Sequence, residues 1–207
     1  MKKGRFIVFE GIDGAGKTTQ VEKLKAALEA RGEKVFVTAE PTSLPSGKEL
    51  RRVLSGEIKK SDCEIAAMFT LDRIAHNIDK DNGIEKLLDD GYYILCDRYY
   101  YSTLAYQGAT VDYAWVRALN IDCPEIRRPD LCLFLDLTPE VSMARISIGR
   151  ESTEIFENVE TLTKVRNSFM RVIDDLSADE SIKVIDASAD IEAVSASVLK
   201  AVLEDFS

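Results

Sequence analysis

Near the N-terminus, Gly11-Ile12-Asp13-Gly14-Ala15-Gly16-Lys17-Thr18 keeps the spacing G-x-x-x-x-G-K-[ST], and the chemistry of that pattern is the holding of a polyphosphate. Its glycines let successive backbone N–H groups turn inward on phosphate oxygens, and Lys17 adds a full charge near a transferred group. Thr18 offers a hydroxyl to magnesium, and Thr19 carries the loop onward, so the candidate nucleotide-binding set runs from Gly11 to Thr19. The alternative is a glycine-rich turn that binds nothing. Context favours the phosphate site: an apolar run, Phe6-Ile7-Val8-Phe9, precedes the loop, and Val21, Leu24 and Leu28 form one stripe after it, ending at Gly32. Strand, loop and amphipathic helix are the setting the motif requires.

A second candidate is Asp97-Arg98, which follows another apolar run, Tyr92 to Cys96. Its carboxylate can join Thr18 on magnesium, and the guanidinium can grip a phosphate with two parallel hydrogen bonds, so a phosphorylated acceptor is expected. A salt-bridge pair at a strand end is the competing reading. No candidate strand ends in N-K-x-D, as a guanine-specific switch would. Asp97 is followed by Arg98 and Asp136 by Leu137, not by the second acid expected of a motor ATPase. A kinase for a small acceptor, a nucleoside monophosphate or a deoxynucleoside, is left in front, with a nucleotide-dependent switch that never transfers phosphate as the alternative class.

Such residues need a scaffold. Phe6–Phe9, Val35–Val37, Tyr92–Cys96, Leu131–Leu135 and Ile182–Ile185 are short apolar runs, each closely followed by an acid: Glu10, Glu40, Asp97, Asp136 and Asp186. Continuous apolar runs fit strands covered on both faces. Helical patterns lie between them. One opens at Thr138-Pro139, and a long one carries Phe156, Val159, Leu162, Val165, Phe169 and Val172. The segment Pro41–Ser61 reads as a functional connection with a short helix over Glu49–Leu54. Alternation of this kind predicts an α/β fold, a five-stranded parallel sheet sandwiched by helices, with ligands beyond the carboxyl ends of the strands.

With 207 residues the chain is expected to form one domain, 1–207. Its net charge of -9 and lack of a long basic run argue against nucleic acid as a partner. Cys63, Cys96, Cys123 and Cys132 show no C-x-x-C pairing and His76 is the only histidine, which argues against zinc and for reduced, mostly buried thiols. The apolar run after Met1–Arg5 stops at Glu10, too short for a secretion signal or a membrane span, so no membrane partner and a cytoplasmic location are expected.

Across nearly the whole chain, Phe6 to about Val194, the sequence resembles thymidylate kinase of the bacterial type. The resemblance is carried by Phe9–Thr19, Glu40-Pro41, Phe69 with Arg73, Asp97-Arg98-Tyr99, Ser102–Gly108, Pro129-Asp130-Leu131 and Leu135–Glu140, in order and spacing. It implies a P-loop kinase, usually a homodimer, that uses ATP with Mg2+ to phosphorylate dTMP. By resemblance, Asp13 lies between the nucleotides near the acceptor sugar, Arg98 binds the acceptor phosphate, and Arg51 helps it. Glu40 and Pro41 belong to the same acceptor side. Phe69 would stack on thymine, with Arg73 one turn away hydrogen-bonded to its edge. Ser102, Tyr106 and Gln107 would surround base and sugar, Tyr106 crowding a ribose 2′-hydroxyl. Tyr100, by contrast, reads as packing with a hydroxyl that reaches water.

Phosphoryl transfer needs positive charge over the migrating group. Gly14 occupies the loop position where some of these kinases place arginine, so the charge is expected from a lid at about 145–157, Arg150 first and Arg145 in support, with Gly149 giving mobility. Glu154-Ile155-Phe156-Glu157 has isoleucine where the bacterial-type run has arginine. Ala39 and Thr42 flank Glu40-Pro41 where arginine and glycine are common.

Overall fold

The computed structural model describes residues 3–149 and 159–206, with only the backbone over 147–149. The described elements are β1 (Arg5–Glu10), α1 (Lys17–Glu29), β2 (Val35–Ala39), α2 (Pro45–Leu54), α3 (Asp62–Ile78), α4 (Ile84–Asp89), β3 (Tyr93–Asp97) and α5 (Tyr100–Tyr106). After a 3-10 turn, Gln107–Ala109, come α6 (Tyr113–Ile121), β4 (Leu131–Asp136), α7 (Pro139–Gly149), α8 (Val159–Leu176), β5 (Ile182–Asp186) and α9 (Ile191–Asp205). All five strands are parallel neighbours in the order β2-β3-β1-β4-β5.

Alternation along each strand builds two cores. Phe6, Val8, Ile94, Cys96, Cys132 and Phe134 face one way and pack with Leu104, Phe169 and Val172. Ile7, Phe9, Leu95, Leu133 and Leu135 face the other way, onto Val21, Leu24 and Leu28 of α1 and Val198 and Val202 of α9. Over β1, β3 and β4 both faces are dry, which is why these strands read as unbroken apolar runs, whereas β2 is half-buried and β5 leaves Val184 exposed because they are the edge strands. The register pairs Phe9 with Asp97 and Glu10 with Phe134, so the acids close their strands at one common edge.

Local signals set the helix ends. Ser61 and Glu64 form a reciprocal capping box that starts α3. Pro139 opens α7 as expected. Helix α2 begins at Pro45, four residues before the expected start, because proline is preorganised for a first helical turn. In the long helix α8, Leu162, Phe169 and Val172 are buried while Val159 is exposed; Phe156 lies outside the described residues.

Two further expectations are corrected. Only Cys96 and Cys132 are buried; Cys63 is exposed and Cys123 half-buried, and all four are free thiols. Tyr100 does not reach water: its hydroxyl donates to Glu180 Oε1 at 2.8 Å and that of Tyr101 to Glu180 Oε2, so one carboxylate satisfies both buried phenols. Among the described residues no helix is long and apolar enough to cross a membrane.

Candidate active site

The loop after β1 is shaped by glycine. Gly14 and Gly16 sit at φ 76° and 90°, a region that side chains rarely adopt, and a Cβ on Gly11 would stand 2.7 Å from the Leu135 carbonyl oxygen. Among the described residues no side chain caps α1, whose first turn opens from Gly16. Lys17 is folded back and buried, its Nζ donating to the carbonyls of Gly11 (3.0 Å) and Ile12 (3.2 Å). Burial, with the nearby Arg98 charge, pulls its pKa down to about 8. Thr18 Oγ1 donates to Asp97 Oδ2 at 3.1 Å. Two hard oxygen donors so close together, on the wall of one cavity, suit a magnesium ion. This cavity, about 430 Å³, is also lined by Asp13, Gly14, Gly16, Lys17, Thr19, Arg98, Arg145 and Ile146.

The turn after β3 is held from beneath. Arg98 has φ 69°, a conformation that costs a non-glycine residue about 1–2 kcal/mol and needs support from its surroundings. The support is Glu10, wholly buried. Its Oε1 accepts from the backbone N–H groups of Tyr99 (2.7 Å) and Ser102 (3.2 Å), and its Oε2 from Ser102 Oγ (2.6 Å). Burial pushes this carboxyl above the usual range, with the Arg98 charge and these hydrogen bonds opposing. Arg98 donates from Nη1 to Ser102 Oγ (3.1 Å) and from Nη2 to Asp13 Oδ1, its guanidinium 5.7 Å from the centre of the Tyr106 ring.

On the other side of Arg98 lies a cavity of about 210 Å³. Its walls include Glu40, Pro41, Phe69, Arg73, Ser102, Tyr106 and Gln107, all expected on the acceptor side, with Leu54, Tyr99 and Thr103 besides. Arg73 is not solvated; it is 1% exposed and wired into the protein. Nη2 donates to Glu40 Oε2 (2.6 Å) and Thr103 Oγ1 (3.2 Å), and Nη1 to Asn120 Oδ1. Glu40 Oε1 also meets His76 Nδ1 at 2.9 Å. Asp72, buried on α3, accepts from Thr42 N (2.7 Å), Thr42 Oγ1 (2.6 Å) and Ser46 Oγ (2.7 Å), which pins the connection after Pro41 against the same helix.

A third cavity, about 280 Å³, shares Gly14, Gly16, Thr19 and Arg145 with the first and continues along Ala187, Ala189, Ile191 and Val194. Arg145 is fastened by Nη2 to the Ala187 carbonyl (2.9 Å). Helix α7 packs directly on the loop: Ser142 Oγ donates to the Asp13 carbonyl, and a Cβ on Gly14 would come within 3.0 Å of the Ser142 carbonyl oxygen.

Two expected side chains fall elsewhere, and a third expected residue is not described. The Ile12 side chain is buried in the core, and only its carbonyl takes part, as an acceptor for Lys17. Arg51 lines none of these cavities, because its two terminal nitrogens are spent on the carbonyls of Thr42 and Pro41. Arg150 lies outside the described residues, as does the lid beyond Gly149, and 145–149 form the last turns of α7. Sequence reasoning gave no role to Glu10, Asn120 or the wall from Ala187 to Val194. Glu10 left one signal, an acid at the end of an apolar strand directly before the loop glycine.

A protein-family model described as thymidylate kinase matches residues 9–198. A probable thymidylate kinase of Pyrococcus horikoshii is 37% identical over 199 residues, covering 87% of this chain and 92% of that protein. A thymidylate kinase of Caldicellulosiruptor saccharolyticus is 36% identical over 174 residues, 82% of this chain and 83% of the relative. One from Bifidobacterium longum is 36% identical over 204 residues, 94% and 95% of the two chains. With a glycine loop, an Asp97-Arg98 turn and an Arg73-lined cavity all at one sheet edge, and with likeness of this extent, the chain belongs to the thymidylate kinase family.

Proposed function

We propose that this chain, acting as one kinase domain, transfers the γ-phosphoryl group of ATP to dTMP, giving ADP and dTDP. One observation carries the reading: Arg98 borders both the loop cavity and the Arg73 cavity, so a guanidinium stands where two phosphorylated molecules would meet. ATP phosphates would lie on the backbone of Gly11–Thr19, and the donor base in the cavity between Arg145 and Ile191. Phe69 and Arg73 would take the thymine, and Tyr106 would border the sugar. Asp13, already paired with Arg98, would sit between the two substrates.

The acceptor phosphate is ionised at neutral pH and needs no strong base, so attack on the γ-phosphorus depends on placement and on charge. Lys17 and Arg98 supply that charge from the described residues, and Arg150 is the lid arginine assigned to help them. Thr18 and Asp97 would hold Mg2+, which would neutralise charge on the donor phosphates. Arg51 would reach the acceptor only by leaving the carbonyls of Pro41 and Thr42. A homodimer fits the exposed Leu71 and Ile78, seven residues apart on α3, and a cytoplasmic setting fits free thiols.

An acceptor panel tests the reading: ADP release from ATP with dTMP, dUMP, UMP, dCMP, dGMP or thymidine. Turnover fastest with dTMP is expected. Turnover fastest with another acceptor would move the chain to a different small-acceptor kinase, and slow hydrolysis indifferent to every acceptor would make it a switch.

A further inference from the structure

We infer that Asn120, on α6, is a positioning residue that fixes the Arg73 guanidinium on the wall of the acceptor cavity; this rests on the acceptor reading above. Asn120 is 1% exposed and lines neither that cavity nor the loop cavity, so it acts through Arg73. Its amide has one usable orientation. Nδ2 donates to the Val116 carbonyl (2.8 Å) one turn earlier, which presents Oδ1 to Arg73 Nη1. Turned over, the amide would set its N–H groups against the donors of a cation that has no acceptor.

Val116 and Ile121 are buried on the same helix, and a buried amide without a partner costs about 1–3 kcal/mol. What the amide achieves is a fixed fork. Asn120 holds Nη1, Glu40 and Thr103 hold Nη2, and the guanidinium lies 4.9 Å from the centre of the Tyr99 ring. Anchors on both terminal nitrogens, with an aromatic ring close by, restrict rotation of the plane. Only Nε is without a partner among the described residues. Glu40 and Thr103 border the cavity themselves; Asn120 brings a third anchor from an element behind it.

Asn120→Leu keeps the volume and removes the acceptor. The expected result is a rise in KM for dTMP of about tenfold, the size of one lost hydrogen bond to a charged group, with KM for ATP and kcat within twofold. Asn120→Asp, which restores an oxygen toward Nη1 but sets its second oxygen against the Val116 carbonyl, recovers part of that loss, with KM for dTMP below that of the leucine variant. In an Arg73→Ala background, Asn120→Leu adds no further rise, because the residue through which it acts is gone. The inference is overturned by a rise of less than threefold in the leucine variant, by an equal rise in KM for ATP, by an aspartate variant no better than leucine, or by an undiminished effect without Arg73. If the leucine variant does not fold, Asn120→Ser, too short to reach Nη1, takes its place under the same limits. The native enzyme is assayed alongside: absent dTMP turnover there would defeat the kinase reading, whereas normal turnover with an indifferent Asn120 defeats only this one.

Discussion

Lys17 shows how one side chain ties stability and binding to pH in opposite senses. Burial lowers its folded pKa to about 8, below the ordinary lysine value of 10.5. Between these values the unfolded chain carries more protons, so the contribution of Lys17 to the stability of the free protein rises as pH climbs from about 8 to about 10.5. A polyphosphate needs the ammonium form, so affinity for ATP should fall over the same window, by about tenfold between about pH 7 and about pH 9. Titration calorimetry in buffers of different ionisation heat would show proton uptake on binding above about pH 8; an affinity flat with pH would refute the assignment. Lys17→Ala should abolish transfer, measured as dTDP formed. Arg73→Ala should weaken dTMP binding far more than ATP binding, and it should also destabilise the fold by about 3–5 kcal/mol in denaturant titration, because Glu40 would keep a buried charge without its cation. Lys17, Asp97 and Arg98, which the structure gathers on the wall of one cavity, were legible as candidates because each lies in a local motif. Glu10 and Asn120 were not: Glu10 meets the Tyr99 and Ser102 amides 89 and 92 residues along the chain, and Asn120 meets Arg73 across 47.

Among the elements, the strands were legible because β1, β3 and β4 are dry on both faces, so each reads as an apolar run closed by an acid. Helix α2 was legible only in its second half, since its first turn rests on proline preference and on contacts made by a connection far from the motif. That first turn is tight. A Cβ on Gly47 would stand 2.1 Å from the Thr42 carbonyl oxygen and 2.6 Å from the Thr42 nitrogen. Gly47→Ala should therefore destabilise the protein by about 1–3 kcal/mol in urea, and it should raise KM for dTMP, because Thr42 and Ser46 are the groups that Asp72 uses to hold the Pro41 connection. An unchanged urea midpoint would show that α2 can shift without cost.

For the molecule as a whole, the unequal burial of four thiols gives an independent check on the core that Cys96 and Cys132 share. Cys96 and Cys132 lie in the sheet, and burial drives their pKa values well above the ordinary thiol range, while Cys63 is exposed on α3. An aromatic disulfide reagent should label Cys63 quickly in the native protein and leave Cys96 and Cys132 unmodified until denaturant is added; mapping by peptide mass decides it. Burial of this kind was only half legible, since a sequence marks which residues are apolar but not which helix face lies outermost.

Glu10 has a broader implication. The residue whose carboxylate braces the Arg98 turn is covalently next to Gly11, where the glycine loop begins, so the spacing between the two cavities is set where β1 passes into the loop. Changes at Phe69, Tyr106 or Gln107 can therefore reshape the second cavity while that spacing stays the same length.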